Sequence, residues 1–135
     1  MTDWPKTLVL AGAGKMGGAM LKGWLKGGLP AAGTTVVEPT PSPELLALAA
    51  EYGVRVNPAD IAPPEALVLA IKPQMLDREA HTLAPLAGAH TLVVSVIAGK
   101  TIANLQGRLP DARAVVRVMQ NTPAGVGRGA AAISN

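Results

Sequence analysis

The chain has 135 residues, 49% of them hydrophobic and 16% charged, and its formal net charge is +3. That length suits one compact domain with its own core rather than two domains. The chain has no cysteine and two histidines, which excludes disulfides, thiolate zinc sites and cysteine nucleophiles, and no metal site is expected.

The charge pattern also narrows the class of partner. The twelve lysines and arginines are scattered, and aromatic residues make up 2% of the chain, whereas nucleic-acid binding favours a basic stripe with stacking aromatics. Every apolar run is broken well before the roughly twenty residues that span a membrane. The apolar run after Lys6 is too short for a signal peptide. We therefore expect a cytoplasmic protein that binds a small molecule, without nucleic-acid or membrane partners.

Short apolar runs alternate with longer segments of helical periodicity along the chain. The predicted strands are 7–11, 34–37, 54–56, 66–71, 91–97 and 114–119, with a further short edge strand at 130–133. The predicted helices are 15–26, 43–52, 75–86 and 101–109. Ser42 and Thr101 are expected to cap the second and fourth helices at their N-termini, and glycines at 27, 28 and 53 are expected to end the first two.

This alternation defines the expected fold class. Strands that alternate with helices imply right-handed crossovers and a mainly parallel sheet. The sequence therefore predicts an α/β fold of the Rossmann type, doubly wound with helices on both faces of the sheet. We expect one NAD(P)-binding domain over residues 1–135.

A glycine-rich motif stands between the first strand and the first helix. The segment Gly12-Ala13-Gly14-Lys15-Met16-Gly17 has the form G-x-G-x-x-G. Gly12 would allow the tight turn, Gly14 the close approach of a pyrophosphate, and Gly17 the packing of the helix on the sheet. The free N–H groups of the first helical turn would receive the phosphate charge. A purely structural glycine turn is the alternative.

An acidic residue follows the second predicted strand. Glu38 lies twenty-one positions after Gly17, where an acid accepts a hydrogen bond from the ribose 2′-hydroxyl of NAD and repels the 2′-phosphate of NADP. No arginine stands beside it in the sequence. An ordinary solvated carboxylate is the alternative interpretation.

Three further strand ends should lie at the same edge of the sheet, where open parallel sheets bind ligands. Ala70-Ile71-Lys72 ends the fourth strand, and the lysine there could reach ribose hydroxyls or simply extend into solvent. Small residues from Ser95 to Gly99 would let a nicotinamide lie flat, although they also suit a tight turn. Asn121 could orient a carboxamide or a substrate, or belong to an ordinary loop.

Together, these strand ends resemble the N-terminal domain of pyrroline-5-carboxylate reductase. The resemblance runs from about Thr7 to the end of the chain and is carried by the glycine motif, the Lys-Pro strand end, VVSVIAGKT and VRVMQNTPAGVG. It implies hydride transfer from NAD(P)H to the C=N carbon of 1-pyrroline-5-carboxylate, which yields L-proline.

The resemblance also implies which residues contact the cofactor. The matching positions are Gly12, Ala13, Gly14, Lys15, Met16, Gly17, Glu38, Asn57, Ala70, Ile71, Lys72 and Ala98. Lys15 and Gln120 differ from the residues usual in the family. Glu38 stands where many relatives have a small polar residue, so the preference between NADH and NADPH stays open.

The family has a second, all-helical domain that forms the dimer and holds the substrate carboxylate, and this chain ends before it. The resemblance therefore implies that the catalytic residues lie outside these 135 residues and that the chain alone is inactive. Two alternatives stay open: a related imine reductase or β-hydroxyacid dehydrogenase, and a non-catalytic nucleotide-binding module.

Overall fold

The computed structural model describes residues 4–97 and 99–118. The predictions for Ala98, Met119, Asn121 and the edge strand at 130–133 lie outside these residues. The strands are β1 (Leu8–Ala11), β2 (Thr34–Val37), β3 (Arg55–Val56), β4 (Ala66–Leu69), β5 (Leu92–Ser95) and β6 (Ala114–Arg117). The helices are α1 (Lys15–Lys26), α2 (Pro43–Tyr52), α3 (Leu76–Leu83) and α4 (Ile102–Arg108).

The strands form one sheet in the order β3-β2-β1-β4-β5-β6, and each neighbouring pair is parallel. From β1 the chain first builds outward through β2 and β3, then crosses back to place β4 on the other side of β1. This is the strand order of a doubly wound fold, so the predicted fold class is confirmed.

The alternation of side chains along each strand builds two separate cores. Leu8 and Leu10 of β1 pack on one face with residues of α1 and α2. Val9 and Ala11 point to the other face and pack with residues of α3 and α4. Both faces of the central strands are therefore covered by helices, which explains why these strands read as unbroken apolar runs.

The predicted helix ends follow from their local chemistry. The Ser42 hydroxyl accepts a hydrogen bond from the Leu45 N–H at 3.1 Å, and Thr101 caps α4 in the same way through Asn104. Gly53 ends α2 with a φ of +83°, a left-handed conformation that glycine adopts without strain. Both N-caps and this C-cap are confirmed.

The third predicted helix, 75–86, is interrupted. Its α-helical part is α3, and 3-10 turns precede and follow it at Pro73–Met75 and Ala84–Leu86. Pro85 has no N–H to donate to the carbonyl four residues earlier, and its ring clashes with that carbonyl. The chain therefore leaves the α-helical conformation before the proline. The observed strands are also one to three residues shorter than predicted, apart from β2.

One close backbone approach was not anticipated from the sequence. A Cβ at Gly33, in the 3-10 turn before β2, would lie 1.9 Å from the carbonyl oxygen of Lys6. Any side chain at this position would separate the segment before β1 from the turn before β2. Within residues 4–97 and 99–118, no helix is long and apolar enough to cross a membrane.

Candidate cofactor site

The candidate site lies at the carboxyl ends of β1 and β4. These two strands are neighbours, with Ala11 beside Leu69, although the connections that follow them run to opposite faces of the sheet. Because the two connections diverge to opposite faces, a crevice opens between the segment after β1 and the segment after β4. The glycine motif follows β1, and Ala70 follows β4, so both predicted segments border this crevice.

Two of the three motif glycines are required by packing within the chain. Gly12 has a φ of +90°, and a Cβ there would lie 2.8 Å from the backbone of Ala70 and Ile71. A Cβ at Gly17 would lie 2.4 Å from the carbonyl oxygen of Gly12. Gly12 therefore lets the loop touch the end of β4, and Gly17 lets α1 begin directly against that loop.

Gly14 differs from these two because it faces open space. It is exposed, and an added Cβ would meet no heavy atom of the described residues within 4 Å. The first backbone hydrogen bond of α1 runs from the Gly18 N–H to the Gly14 carbonyl at 2.8 Å. The N–H groups of Lys15 and Met16 precede that bond. No side chain of the described residues caps the helix there, and no acidic residue lies in its first turn. Open space beside uncapped N–H groups suits an anionic group.

The Glu38 carboxylate contacts the glycine loop. Its Oε1 accepts a hydrogen bond from the Ala13 N–H at 2.8 Å, and its Oε2 accepts one from the Thr40 N–H at 3.2 Å. The side chain is half-buried. The carboxylate is therefore held across the end of β2 beside the loop, and it keeps lone pairs that can accept further hydrogen bonds.

Asn57 holds the backbone of Glu38. Its Oδ1 accepts a hydrogen bond from the Glu38 N–H, and its Nδ2 donates one to the Glu38 carbonyl, both at 2.8 Å. Asn57 is not among the residues that line the cavities described next. One N–H of its amide group is not used in these two bonds.

Two cavities meet at the glycine loop. The first has a volume of about 260 Å³, and the residues on its wall include Gly14, Glu38 and Thr40. The second has a volume of about 530 Å³, and the residues on its wall include Lys15, Val96 and Arg117. Both share a wall formed by Gly14, Ala70, Ile71 and Lys72.

The structure brings most of the predicted site residues together. The predicted residues that line one or both cavities are Gly12, Gly14, Lys15, Met16, Gly17, Glu38, Ala70, Ile71 and Lys72. Ala13 and Asn57 are connected to them through Glu38. Ala98 and Asn121 lie outside the described residues.

The sequence interpretation missed one wall of the first cavity. Met75, Glu79 and Leu83 line it from α3 and the turn before it. Their spacing of four residues places them on one helical face, and α3 follows β4 at the ligand-binding edge. That combination was available in the sequence as a signal. The first cavity thus has two carboxylates, Glu38 and Glu79, and the ammonium group of Lys72 on its wall.

The strand order, the glycine loop and the crevice define a domain of the Rossmann class, the class that binds NAD(P) in oxidoreductases. Residues 7–99 match the family described as NADP oxidoreductase, coenzyme F420-dependent. The chain belongs to that family.

Individual relatives support a closer resemblance. The chain is 37% identical to pyrroline-5-carboxylate reductase of Pasteurella multocida over 131 residues, which cover 92% of this chain and 47% of that protein. A pyrroline-5-carboxylate reductase structure from Coxiella burnetii superposes with a TM-score of 0.75 at 23% identity, covering 92% of this chain and 47% of the other. The Plasmodium falciparum pyrroline carboxylate reductase structure with NADP bound superposes with a TM-score of 0.68 at 20% identity, and the match covers 90% of this chain and 44% of the other.

These comparisons confirm the resemblance to pyrroline-5-carboxylate reductase that the motifs indicate. The chain spans about half the length of the relatives it matches. The similarity to the two solved structures, at 23% and 20% identity, supports the fold.

Proposed function

We propose that this chain is the cofactor-binding domain of a reductase that converts 1-pyrroline-5-carboxylate to L-proline with NAD(P)H. The domain extends over residues 1–135, and a further helical region would hold the substrate. The similarity to pyrroline-5-carboxylate reductases over 92% of the chain supports the reaction class.

The observation that carries the proposal is the pair of cavities that meet at Gly14. A dinucleotide consists of two nucleosides joined by a pyrophosphate. One cavity lies on the Glu38 side of Gly14 and the other on the Val96 side. The open space at Gly14, beside the uncapped N–H groups of α1, suits the pyrophosphate between them. The residues present therefore fit a dinucleotide.

The proposed contacts follow from this placement. The N–H groups of Lys15 and Met16 would hold the pyrophosphate, with Gly12, Ala13 and Gly17 shaping the loop. Glu38 would accept hydrogen bonds from the adenosine ribose, and Lys72 would contact ribose hydroxyls from the shared wall. Ala70 and Ile71 would line the cofactor there. Asn57 would contribute at Glu38, while Ala98 at the nicotinamide and Asn121 at a carboxamide stay predictions.

Bound NAD(P)H would supply a hydride to the imine carbon, and a proton from another group would complete the amine. The residues of this chain would bind and orient the cofactor. The walls of the second cavity would reduce the access of water to the part of the cofactor that lies against them. Lys15, Lys72 and Arg117 give that cavity a positive wall, which suits an anionic cofactor.

The proposal is tested by Gly14→Val, with Gly107→Val as the matched control. Both glycines are exposed, and a Cβ on either would lie more than 4 Å from the other described groups that could obstruct it. Both variants should therefore fold. Valine at position 14 would occupy the space proposed for the pyrophosphate, and we expect at least about a tenfold loss of NADH and NADPH affinity in calorimetric titration, because hydrogen bonds to a charged group are lost.

Gly107 lies on α4, away from both cavities, so Gly107→Val should bind both cofactors as the unchanged chain does. If a folded Gly14→Val variant binds NADH and NADPH as tightly as the unchanged chain does, the proposed phosphate site is wrong. A wild-type chain that binds neither cofactor would contradict the proposed function as a whole.

A further inference from the structure

The side-chain amide of Asn57 continues the hydrogen bonding between β2 and β3 beyond their last paired residues, Val36 and Val56. Asn57 follows β3, and its own N–H donates to the Val36 carbonyl at 2.8 Å. Its side chain accepts one hydrogen bond from the backbone of Glu38, the residue directly after β2, and donates another to it. The Asn57 side chain thereby makes the two hydrogen bonds to Glu38 that the backbone of a neighbouring strand would make in a sheet.

The backbone of Asn57 adopts an unusual conformation to make these bonds. Its φ is +50°, and it is the one non-glycine residue with a positive φ in the described part of the chain. Asparagine tolerates this region better than most residues, but the conformation is still uncommon. Asn57 is exposed, so the need to satisfy a buried amide does not explain the arrangement.

The consequence of the arrangement appears at the Glu38 carboxylate. With its N–H and carbonyl both held by Asn57, the Glu38 backbone has a defined direction, and its carboxylate reaches the N–H groups of Ala13 and Thr40. A continuous set of hydrogen bonds thus connects Asn57, through Glu38, to the glycine loop.

We propose that Asn57 is a positioning residue that acts through Glu38 to set the discrimination between NADH and NADPH. The inference rests on the proposed function. A carboxylate held beside the ribose repels a 2′-phosphate and accepts hydrogen bonds from a free 2′-hydroxyl. A carboxylate released from this position turns into solvent, where both effects weaken because the charge is screened.

The test is a double-mutant cycle with Asn57→Gly and Glu38→Ser. Glycine keeps the positive φ without strain and removes the amide. We expect Asn57→Gly to lower the ratio of NADH affinity to NADPH affinity by about threefold or more, within the range of couplings between contacting residues. In the Glu38→Ser background, the same substitution should leave the ratio unchanged.

A second measurement does not depend on any cofactor. The amide proton of Ala13 should shift upfield in the NMR spectrum of Asn57→Gly, because its hydrogen bond to the carboxylate weakens. Asn57→Asp, which keeps the length and the acceptor but loses the donor, provides the same readout if Asn57→Gly does not fold.

The outcomes separate this inference from the proposed function. An equal shift of the ratio in both backgrounds would mean that Asn57 contacts the cofactor directly, and the inference would be wrong. An unchanged ratio with an unchanged Ala13 resonance would also overturn it, while cofactor binding itself would stand. A wild-type chain that binds neither NADH nor NADPH would overturn the proposed function and this inference together.

Discussion

The N–H of Ala13 donates a hydrogen bond to Oε1 of Glu38 at 2.8 Å, which joins the loop after β1 to the end of β2. The pair lies 25 positions apart in the chain. Because this N–H is used within the protein, the N–H groups of Lys15 and Met16, further along the loop, are the ones that we propose for the phosphate. The bond therefore divides the glycine loop into a part that contacts Glu38 and a part that would face the proposed cofactor.

Gly17→Ala should lower stability, in contrast to substitution at its neighbour Gly18. The new Cβ would lie 2.4 Å from the Gly12 carbonyl oxygen, so α1 or the loop must move, at a cost of about 1–3 kcal/mol. A Cβ at Gly18 would be 3.8 Å from the Ala13 carbonyl oxygen, an ordinary contact. Urea unfolding of both variants measures the difference, and equal stabilities would contradict the close contact.

Glu38→Ser should shift cofactor preference toward NADPH. Within the described residues Glu38 forms no ion pair, since the ion pair there joins Arg108 and Asp77, although Lys72 lies on the wall of the same cavity. Removing the carboxylate should raise the ratio of NADPH to NADH affinity by about fivefold, since half-exposed charges interact weakly. Calorimetric titration with both cofactors gives the ratio.

Glu51→Ser is the control for this experiment, because it removes the same charge from an exposed position on α2. Its ratio should equal that of the unchanged chain. If the wild-type chain binds NADPH more tightly than NADH, the repulsion argument at Glu38 is wrong and the preference for NADH that it implies fails.

Asp77→Ala should change stability little. Asp77 of α3 forms an ion pair with Arg108 of α4, but the Asp77 side chain is 77% exposed and the Arg108 side chain 27%. Exposed pairs contribute about 0.5 kcal/mol, and Arg108 keeps its hydrogen bond to Asn104 at 2.9 Å. A double-mutant cycle with Arg108→Ala in chemical unfolding isolates the pair, and a coupling several times larger would show that it orders α3 against α4.

The 135-residue chain by itself should bind NAD(P)H yet reduce 1-pyrroline-5-carboxylate negligibly. Hydride transfer needs the imine carbon held near the nicotinamide and a proton available to nitrogen, and the chain spans about half the length of its relatives. A steady-state assay of NAD(P)H oxidation measures the rate.

The positive control in that assay is a fusion of this chain to the part of the Pasteurella multocida relative that the chain does not match. The fusion should reduce 1-pyrroline-5-carboxylate. Substantial proline formation by the 135 residues alone would place the active site within them. A fusion that binds cofactor and reduces a different imine, or oxidises a β-hydroxyacid with NAD(P)+, would favour one of the related enzymes instead.

Local patterns determined the type and order of the elements. Unbroken apolar runs indicated strands buried on both faces, as Leu67 and Val68 are, because such a strand needs no polar side. Ser42, Thr101 and Gly53 marked helix ends because capping depends on hydrogen bonds and φ values within one turn of the chain. The glycine motif also indicated the candidate site, since its spacing is set by one loop.

Only the tertiary structure decided what each of these groups contacts. No local pattern marks Gly33, yet the Lys6 carbonyl oxygen leaves no room for a side chain there, and Gly14 and Gly17 differ by what surrounds them. The connection from Asn57 to Glu38 spans 19 positions, and Glu79 joins the first cavity wall from another element. Such contacts depend on the order and register of the strands, and these are set by packing across the whole sheet rather than by neighbours in the chain.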